Sequence, residues 1–431
     1  MNLNKLLKNR IVRNAGWIIG GRLTNRILAF LVGILTARYL GPANYGLISY
    51  ATTYTTFFYS VCTLGISSII IKDFIDYPQQ EGEALGTALI LRGISSTISA
   101  FLIVMIVKFI VRDEPQMVLI VALTSVGLVF QIFDTFTQWF QSRLQSQYAA
   151  LARLISYIAA SAYRLYLLAT GKSVVWFAIA TSVDHIAEAL FLLYAYRRNN
   201  GPALSCSVSK AKQLLSASSG FIVSGLMVSV YAATDKLMLK HMLDETAVGY
   251  YGVAVSISTA WVFVLQAVID SIQPSIIQAY ERWPDRFRKR NRQLYALVFY
   301  SATGISLMIC LLAKPIILLL FGESYRPAID PLRIVVWYSA FSYLGVARNA
   351  WIVCEHKQKY LKYLNLSAAV INVALNLIMI PLWGPSGAAL ASLLTQIATS
   401  ILLPAMIKPL RTNVRLILEA VLLKDVFPEK K

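Results

Sequence analysis

The sequence has little charge. Only 14% of its 431 residues are Asp, Glu, Lys or Arg, while 57% are hydrophobic. Soluble domains are about a quarter charged, so a soluble globular fold is excluded. Acid is scarcer than base, 21 residues against 40, and the formal net charge is +19. In so apolar a chain that excess reports membrane topology rather than nucleic-acid binding. The four cysteines, Cys62, Cys206, Cys310 and Cys354, stand far apart with no CxxC pair. That spacing suggests neither a disulfide framework nor a zinc site. The three histidines, His185, His241 and His356, are equally scattered, and no cofactor or metal motif accompanies them. Long polar stretches are missing too. No loop is long enough to hold a folded catalytic domain, which argues against an enzyme with extramembrane machinery.

What the chain does have is apolar runs. Twelve lie near residues 14–37, 46–71, 86–111, 116–140, 149–169, 173–195, 216–239, 249–272, 294–320, 331–354, 362–383 and 386–407. Each is near the ~20 residues that cross a hydrocarbon core. The expected fold is an all-α membrane protein of about 12 transmembrane helices. The first run follows a basic N-terminus and exceeds the ~7–15 residues of a signal-peptide core, so it reads as an uncleaved helix. Of the 40 Lys and Arg, 25 fall on the ends and alternate loops of one side and 9 on the other. The bias places both termini in the cytoplasm. The acidic loop after the second run (Asp73, Asp76, Glu81, Glu83) fits that side least well.

The halves of the chain resemble each other. LGPANYGLISYA (Leu40–Ala51) aligns with LDETAVGYYGVA (Leu243–Ala254) at an offset of 203. Trp139 and Tyr148 are nine apart, as are Trp351 and Tyr360, at an offset of 212. Six helices per half give both halves the same orientation. The expectation is two six-helix lobes related by a pseudo-twofold axis, with a central cavity. The lobes are 1–198 and 216–431, joined by a cytoplasmic linker at 199–215.

Six arginines lie within the runs: Arg22, Arg26, Arg92, Arg153, Arg164 and Arg348. Each costs ~2.5–3.5 kcal/mol on insertion scales, so it must face protein, water or an anion. Arg22 and Arg26 share a helix face. Arg153, Tyr157, Ala160 and Arg164 form one stripe, and the offset of 212 carries that stripe onto Asn365, Ala369, Asn372 and Asn376.

The stretch NAGWIIGGRLTNRILAFLVGILTARYLGPANYGLISYA (Asn14–Ala51) resembles the opening of the polysaccharide-biosynthesis flippases. DKLMLKHMLDETAVGYYGVAVSIS (Asp235–Ser258) and KYLNLSAAVINVALNLIMIPLWGPSGAALAS (Lys362–Ser392) are similar to the same family. One departure is Asp244-Glu245, where the first half has Gly41-Pro42. The resemblance implies a carrier that flips undecaprenyl-pyrophosphate-linked oligosaccharide from the cytoplasmic to the outer leaflet of the cytoplasmic (inner) membrane, by alternating access. It also implies use in O-antigen, capsule or exopolysaccharide synthesis. The family belongs to a superfamily that includes multidrug and toxin extrusion antiporters and the peptidoglycan lipid flippase.

Arginine suits a pyrophosphate because its planar fork donates bidentately. The expectation is that Arg22, Arg26, Arg92, Arg153 and Arg164 hold pyrophosphate and that Asn365, Asn372 and Asn376 contact sugar. The competing role for the arginines is pairing with Asp134, Asp184 or Glu188 or snorkelling, and for the asparagines helix-to-helix hydrogen bonding. Asp134, Asp184, Glu188 and Asp235 are candidates for ion coupling. The expected partners are the lipid-linked oligosaccharide, membrane lipids and other polysaccharide-assembly proteins, with no nucleic acid and no cofactor. The rival readings are a drug or cation antiporter, which wants an acidic apolar cavity, and a membrane polymerase or ligase, which wants a long periplasmic loop.

Overall fold

The computed structural model describes residues 10–111 and 114–424. All regular structure among the described residues is helical: α1 (Arg10–Thr63), α2 (Ser67–Asp76), α3 (Glu81–Ile110), α4 (Pro115–Phe130), α5 (Thr135–Ser142), α6 (Ser146–Ala169), α7 (Val174–Arg198), α8 (Val208–Met242) and α9 (Glu245–Thr259) in the first stretch. The second stretch holds α10 (Phe263–Arg282), α11 (Pro284–Leu311), α12 (Ala313–Leu320), α13 (Ile329–Val335), α14 (Tyr338–Cys354), α15 (Leu361–Ile397), α16 (Leu403–Met406) and α17 (Arg411–Val421). Hydrocarbon offers backbone groups no partner, so helices that satisfy their own N–H and C=O groups are the expected solution.

Among the described residues, seven helices are long and apolar enough to cross a membrane, or eight if Val208–Ile222 and Gly225–Met242, bent by 43°, count as one span. Leu23–Thr63 and Gln358–Met406 are 41 and 49 residues long, about twice what one crossing needs. Each contains a break that divides two of the apolar runs. At Gly41 the backbone sits at φ 71°, ψ 172°, which glycine adopts cheaply, and Pro42 then opens a new helix with its φ already set. Gly384, at φ 55°, ψ −131°, and Pro385 do the same inside α15. The second-half counterpart of Gly41-Pro42 uses another device. Asp244 is extended and its carboxylate accepts from the Ala247 N–H at 2.7 Å, a side-chain cap in place of a glycine turn. Ser146–Ala169 does not reach the spanning threshold, because Ser, Gln, Tyr and the two arginines dilute its apolar character.

The chain packs as two compact units. One gathers the chain up to Leu40 and Leu47–Ala233, the other Gly41–Gly46 and the chain from Thr234 onward. The division falls inside α8, not at the polar stretch 199–215. That stretch is laid against the first unit: the Ser205 N–H donates to the Gly82 carbonyl at 3.2 Å and the Ser207 N–H to Thr87 Oγ1 at 3.2 Å. Buried Lys210 meets Asp73 at 2.9 Å. The first unit's core centres on Phe136, Trp139, Phe140 and Tyr196, the second's on Phe287, Tyr295, Leu344 and Trp351. Helix α3 shows the membrane's inside-out logic. Arg92, Ser96 and Ser99 are buried, while Phe101 and Phe109 are 64% and 72% exposed.

The repeat is visible in the backbone. Leu144 and His356, 212 apart, both sit at φ 55°. The hydrogen bonds around them match: Gln145 N–H to Phe140 O and Lys357 N–H to Ile352 O, then Tyr148 N–H to Gln145 O and Tyr360 N–H to Lys357 O. The other repeat pair, Gly46 and Gly249, packs together in the second unit. A Cβ on Gly249 would lie 2.1 Å from the Pro42 carbonyl oxygen, and one on Gly46 would lie 1.8 Å from the Glu245 oxygen. Backbone cannot yield as a flexible side chain can. Gly249→Ala is therefore expected to cost about 2 kcal/mol or more. Thermal unfolding of the purified variant should show a lowered midpoint, whereas Gly304→Ala, with nothing within 4 Å, should not.

Candidate functional site

The candidate site in the first unit begins with small residues. Gly21 of α1 approaches α6 so closely that a Cβ there would sit 3.1 Å from the Ala150 Cβ. Beside that approach lies a cavity of about 540 Å³, walled by Gly21, Asn25, Arg26 and Ala29 from α1 and by Ser146, Ala149, Ala150, Arg153 and Tyr157 from α6. Its third wall is Asp134, Thr137, Gln138 and Gln141, on and beside α5. Asn25 Oδ1, Thr137 Oγ1 and Gln138 Oε1 are buried with no hydrogen-bond partner among the described residues. Buried acceptors without partners are costly, so the cavity favours occupants that donate hydrogen bonds.

Arg153 is the second arginine of the cavity's lining. The Nε lies 3.2 Å from Glu188 Oε1 and an Nη 3.5 Å from Asp134 Oδ1, with the side chain 52% exposed. Both oxygens are within ion-pair reach, yet neither has a hydrogen-bond partner among the described residues. The separations exceed the ~2.7–2.9 Å of a well-formed charge-assisted bond. These are loose electrostatic contacts. A second cavity of about 220 Å³ lies on the far side of Arg153, lined by Tyr59, Gln131, Asp134, His185 and Glu188. There Gln131 Nε2 and His185 Nε2 are 2.9 Å apart.

The remaining sequence candidates are dispersed. Arg26 reaches the cavity, is exposed and has no ion-pair or hydrogen-bond partner among the described residues. The Arg22 side chain lies outside the described residues. Arg164 is half-buried and likewise unpartnered among them, but eleven residues along α6 place it about 16 Å beyond Arg153. Arg92 lines neither cavity. It is 1% exposed, and its guanidinium donates to the Thr63 carbonyl at 3.3 Å, Thr135 Oγ1 at 2.9 Å and Ser67 Oγ at 2.7 Å. It ties α1, α2 and α5 together, with three of its five N–H donors committed to them and the guanidinium buried away from both cavities. Asp184 keeps a buried Oδ1 without a hydrogen bond among the described residues.

In the second unit, two of the three asparagines converge on an acid. Asp235 Oδ1 accepts from the amides of Asn372 at 3.0 Å and Asn376 at 2.7 Å; Oδ2 accepts from the Ser392 hydroxyl at 2.5 Å and from the Tyr251 hydroxyl. Asn372 and Asn376 are fully buried. Their amides serve the carboxylate rather than an open surface, which removes the geometry a sugar contact needs. Asn365 is half-buried near the start of α15 and takes no part. The cage is made of hard oxygen ligands and amides. Asn376 Oδ1 has no partner among the described residues, and turning either amide over would present a further oxygen to Asp235's neighbourhood. Tyr251 and Ser392 carried no signal in the sequence, nor did Asn25, Thr137 and Gln138 in the first unit.

With this geometry in view, comparisons with known proteins can be placed. Residues 11–270 match the family model described as polysaccharide biosynthesis protein, and residues 221–378 match that described as MatE. No curated protein matches. Among solved structures, an inward-facing multidrug resistance MATE family transporter of the MOP superfamily is similar, with a TM-score of 0.71, 16% identity, and coverage of 91% of this chain and 96% of that one. The lipid II flippase MurJ in an inward closed conformation is similar too, with a TM-score of 0.71, 14% identity, and coverage of 95% and 93%. A MOP superfamily transporter from Pyrococcus furiosus gives 0.57 at 14% identity, covering 97% and 98%. At these identities the likeness is one of fold: this chain has the two-lobe all-α fold of those transporters.

The Arg92 network yields a direct test. Arg92→Leu leaves the Thr63 carbonyl and two hydroxyls without their donor in a buried site, at about 1–3 kcal/mol. Thermal unfolding of the variant is expected to show a marked drop, with per-molecule function of the surviving folded protein retained.

Proposed function

Because the chain belongs to the polysaccharide biosynthesis protein family, we propose that it carries an undecaprenyl-pyrophosphate-linked oligosaccharide from the cytoplasmic to the outer leaflet of the cytoplasmic membrane, for O-antigen, capsule or exopolysaccharide assembly. Both termini face the cytoplasm, as the distribution of Lys and Arg indicates. The reaction makes and breaks no covalent bond; the protein replaces the water around a dense anion and its uncharged sugars.

The observation that supports this reading is the cavity between α1 and α6. Arg26 is unpartnered among the described residues, and Arg153 is held only loosely by Asp134 and Glu188. The arginine side of the contact is 52% exposed while Asp134 and Glu188 are 19% and 11% exposed. A pyrophosphate brings bidentate acceptors and greater charge to Arg153, and the two buried carboxylates it displaces take up protons, which spares them an unpaired charge. Asn25, Thr137 and Gln138 then meet donors on the cargo. Arg22 stands one helical turn from Arg26 on α1. Arg164 offers a second station farther along α6. The Asp235 cage in the second unit takes the coupling ion or proton, and Asn372 and Asn376 serve that cage. Asp134 and Glu188, released from Arg153, become the first unit's own proton acceptors.

A second reading is export of a cationic drug in exchange for an ion. The acids Asp134 and Glu188 in the cavity walls favour it, as does the match of residues 221–378. The two readings part in proteoliposomes. Wild type should move undecaprenyl-pyrophosphate-linked glycan between leaflets, and Arg153→Gln should slow it about tenfold or more, the loss expected for a charge-assisted contact. Cation efflux without glycan movement would overturn the first reading in favour of the second. Asp235→Asn should leave glycan binding in place and remove the response of transport to an imposed ion gradient; an undiminished response would clear Asp235 of any coupling role.

A further inference from the structure

The internal repeat exposes a vacancy in the second unit. In the first unit Trp139 is fully buried and its indole Nε1 donates to Glu81 Oε2 at 2.9 Å. Arg143 stacks over that ring at 4.4 Å and closes on the same carboxylate oxygen at 2.6 Å. Glu81 opens α3. The offset of 212 carries Trp139 to Trp351 and Arg143 to Glu355, and the turn after them is the same in both units. The same offset carries Glu81 to Gln293, inside α11, and a glutamine there brings no carboxylate.

Trp351 therefore keeps its place without its acceptor. The ring is 2% exposed, and its indole N–H has no partner among the described residues. Instead the ring lines a cavity of about 270 Å³, together with Tyr280, Pro284, Phe287, Arg288, Glu355 and Thr412. Tyr280 and Phe287 meet edge to face with centroids 5.0 Å apart. At about 270 Å³ the cavity lies just below the ~300–1,000 Å³ of common small-molecule pockets, a size for one small ring.

We propose that this cavity binds one pyranose residue. The walls choose among ligand classes. A pyranose has a C–H face that packs on aromatic rings and a rim of hydroxyls that both donate and accept. Glu355 takes donors; Arg288, the Trp351 N–H and Thr412 supply them. A simple anion would meet Glu355, whose charge cancels that of Arg288. A purely apolar ring would use none of the hydrogen-bonding capacity of the indole N–H, the guanidinium and the carboxylate that line the cavity. A site with few placed polar groups on an aromatic floor is the common form of a small-molecule pocket. The cavity lies at the end of the second unit that carries Arg282–Arg292, the end assigned to the cytoplasm. It would read a sugar of the cargo before translocation. That role rests on the carrier reading; the sugar site itself does not.

The test uses the full chain in a detergent without a sugar headgroup. Titration calorimetry with methyl pyranosides (neutral hexoside, N-acetylhexosaminide and hexuronide) is expected to show saturable millimolar binding of at least one. Trp351→Phe and Glu355→Gln should each weaken it about fivefold or more, as loss of one hydrogen bond implies, and Arg326→Gln should not. The melting midpoints of the variants identify any that fail to fold, and the two act on different walls, so one folded variant suffices. The site is overturned if no pyranoside binds saturably, if both folded variants bind as wild type does, or if phosphate or acetate binds with the same dependence on Trp351. Pyranoside binding without glycan movement in proteoliposomes would keep this site and remove the carrier reading; glycan movement without pyranoside binding would do the reverse.

Discussion

A polar group held in hydrocarbon must find its partner inside the protein, because lipid supplies none. Much of the interior of this molecule obeys that constraint. Arg92 is spread over one carbonyl and two hydroxyls from three helices. Asp235 is surrounded by two amides and two hydroxyls. Arg348, 5% exposed, is satisfied less well: one Nη lies 3.4 Å from the carbonyls of Thr399 and Ser400, in the π-helix over Ala398–Leu402, and its Nε has no hydrogen-bond partner among the described residues. Polar groups satisfied in the way of Arg92 and Asp235 fasten helices. The groups left loosely satisfied are of another kind. Arg153 has two carboxylates at ion-pair distance and no hydrogen bond to either, and it lines the larger of the two polar cavities described in the first unit.

That contrast separates scaffold from site better than residue type does. Six intramembrane arginines look equivalent as letters. In the fold, Arg92 bonds three helices, Arg348 meets two carbonyls at long range, Arg153 stands between two carboxylates, and Arg26 and Arg164 are unpartnered among the described residues. The asparagines divide in the same way: Asn372 and Asn376 became ligands of Asp235, and Asn365 stayed apart. The cost of leaving a buried carboxylate without donors is large enough to recruit both amides on one stripe of α15, which lie one turn apart and face the same neighbour.

The repeat has a double use. Where the two halves keep the same backbone, as at Leu144 and His356, the geometry of one unit can be read from the other. Where they differ, the difference marks specialisation. Gly41-Pro42 and Asp244-Glu245 reach the same helix start by a glycine break and by a carboxylate cap. Trp139 has Glu81 beneath it, and Trp351 has open space.

The sequence by itself determined the features that short-range physics governs. Apolar runs of membrane length required helices, the shortage of charge required a membrane, and Gly41, Pro42, Gly384 and Pro385 set where long helices break. The twofold likeness of the halves and the family resemblance were legible in the same local patterns. Helical spacing also grouped Asn372 with Asn376 and Arg153 with Arg164, since residues four and eleven apart share a face. Only the tertiary structure decided what each face meets. Asp235, Tyr251 and Ser392 lie on three separate stretches, and Arg92 depends on Thr63, Ser67 and Thr135, so neither network has a spacing to recognise. The division inside α8 was hidden for the same reason: 199–215 looks like a free linker in one dimension, but its backbone amides find Gly82 and Thr87 only once α3 is folded beside them. Burial and pairing are properties of surfaces that meet in space, and no stretch of one chain carries them in advance.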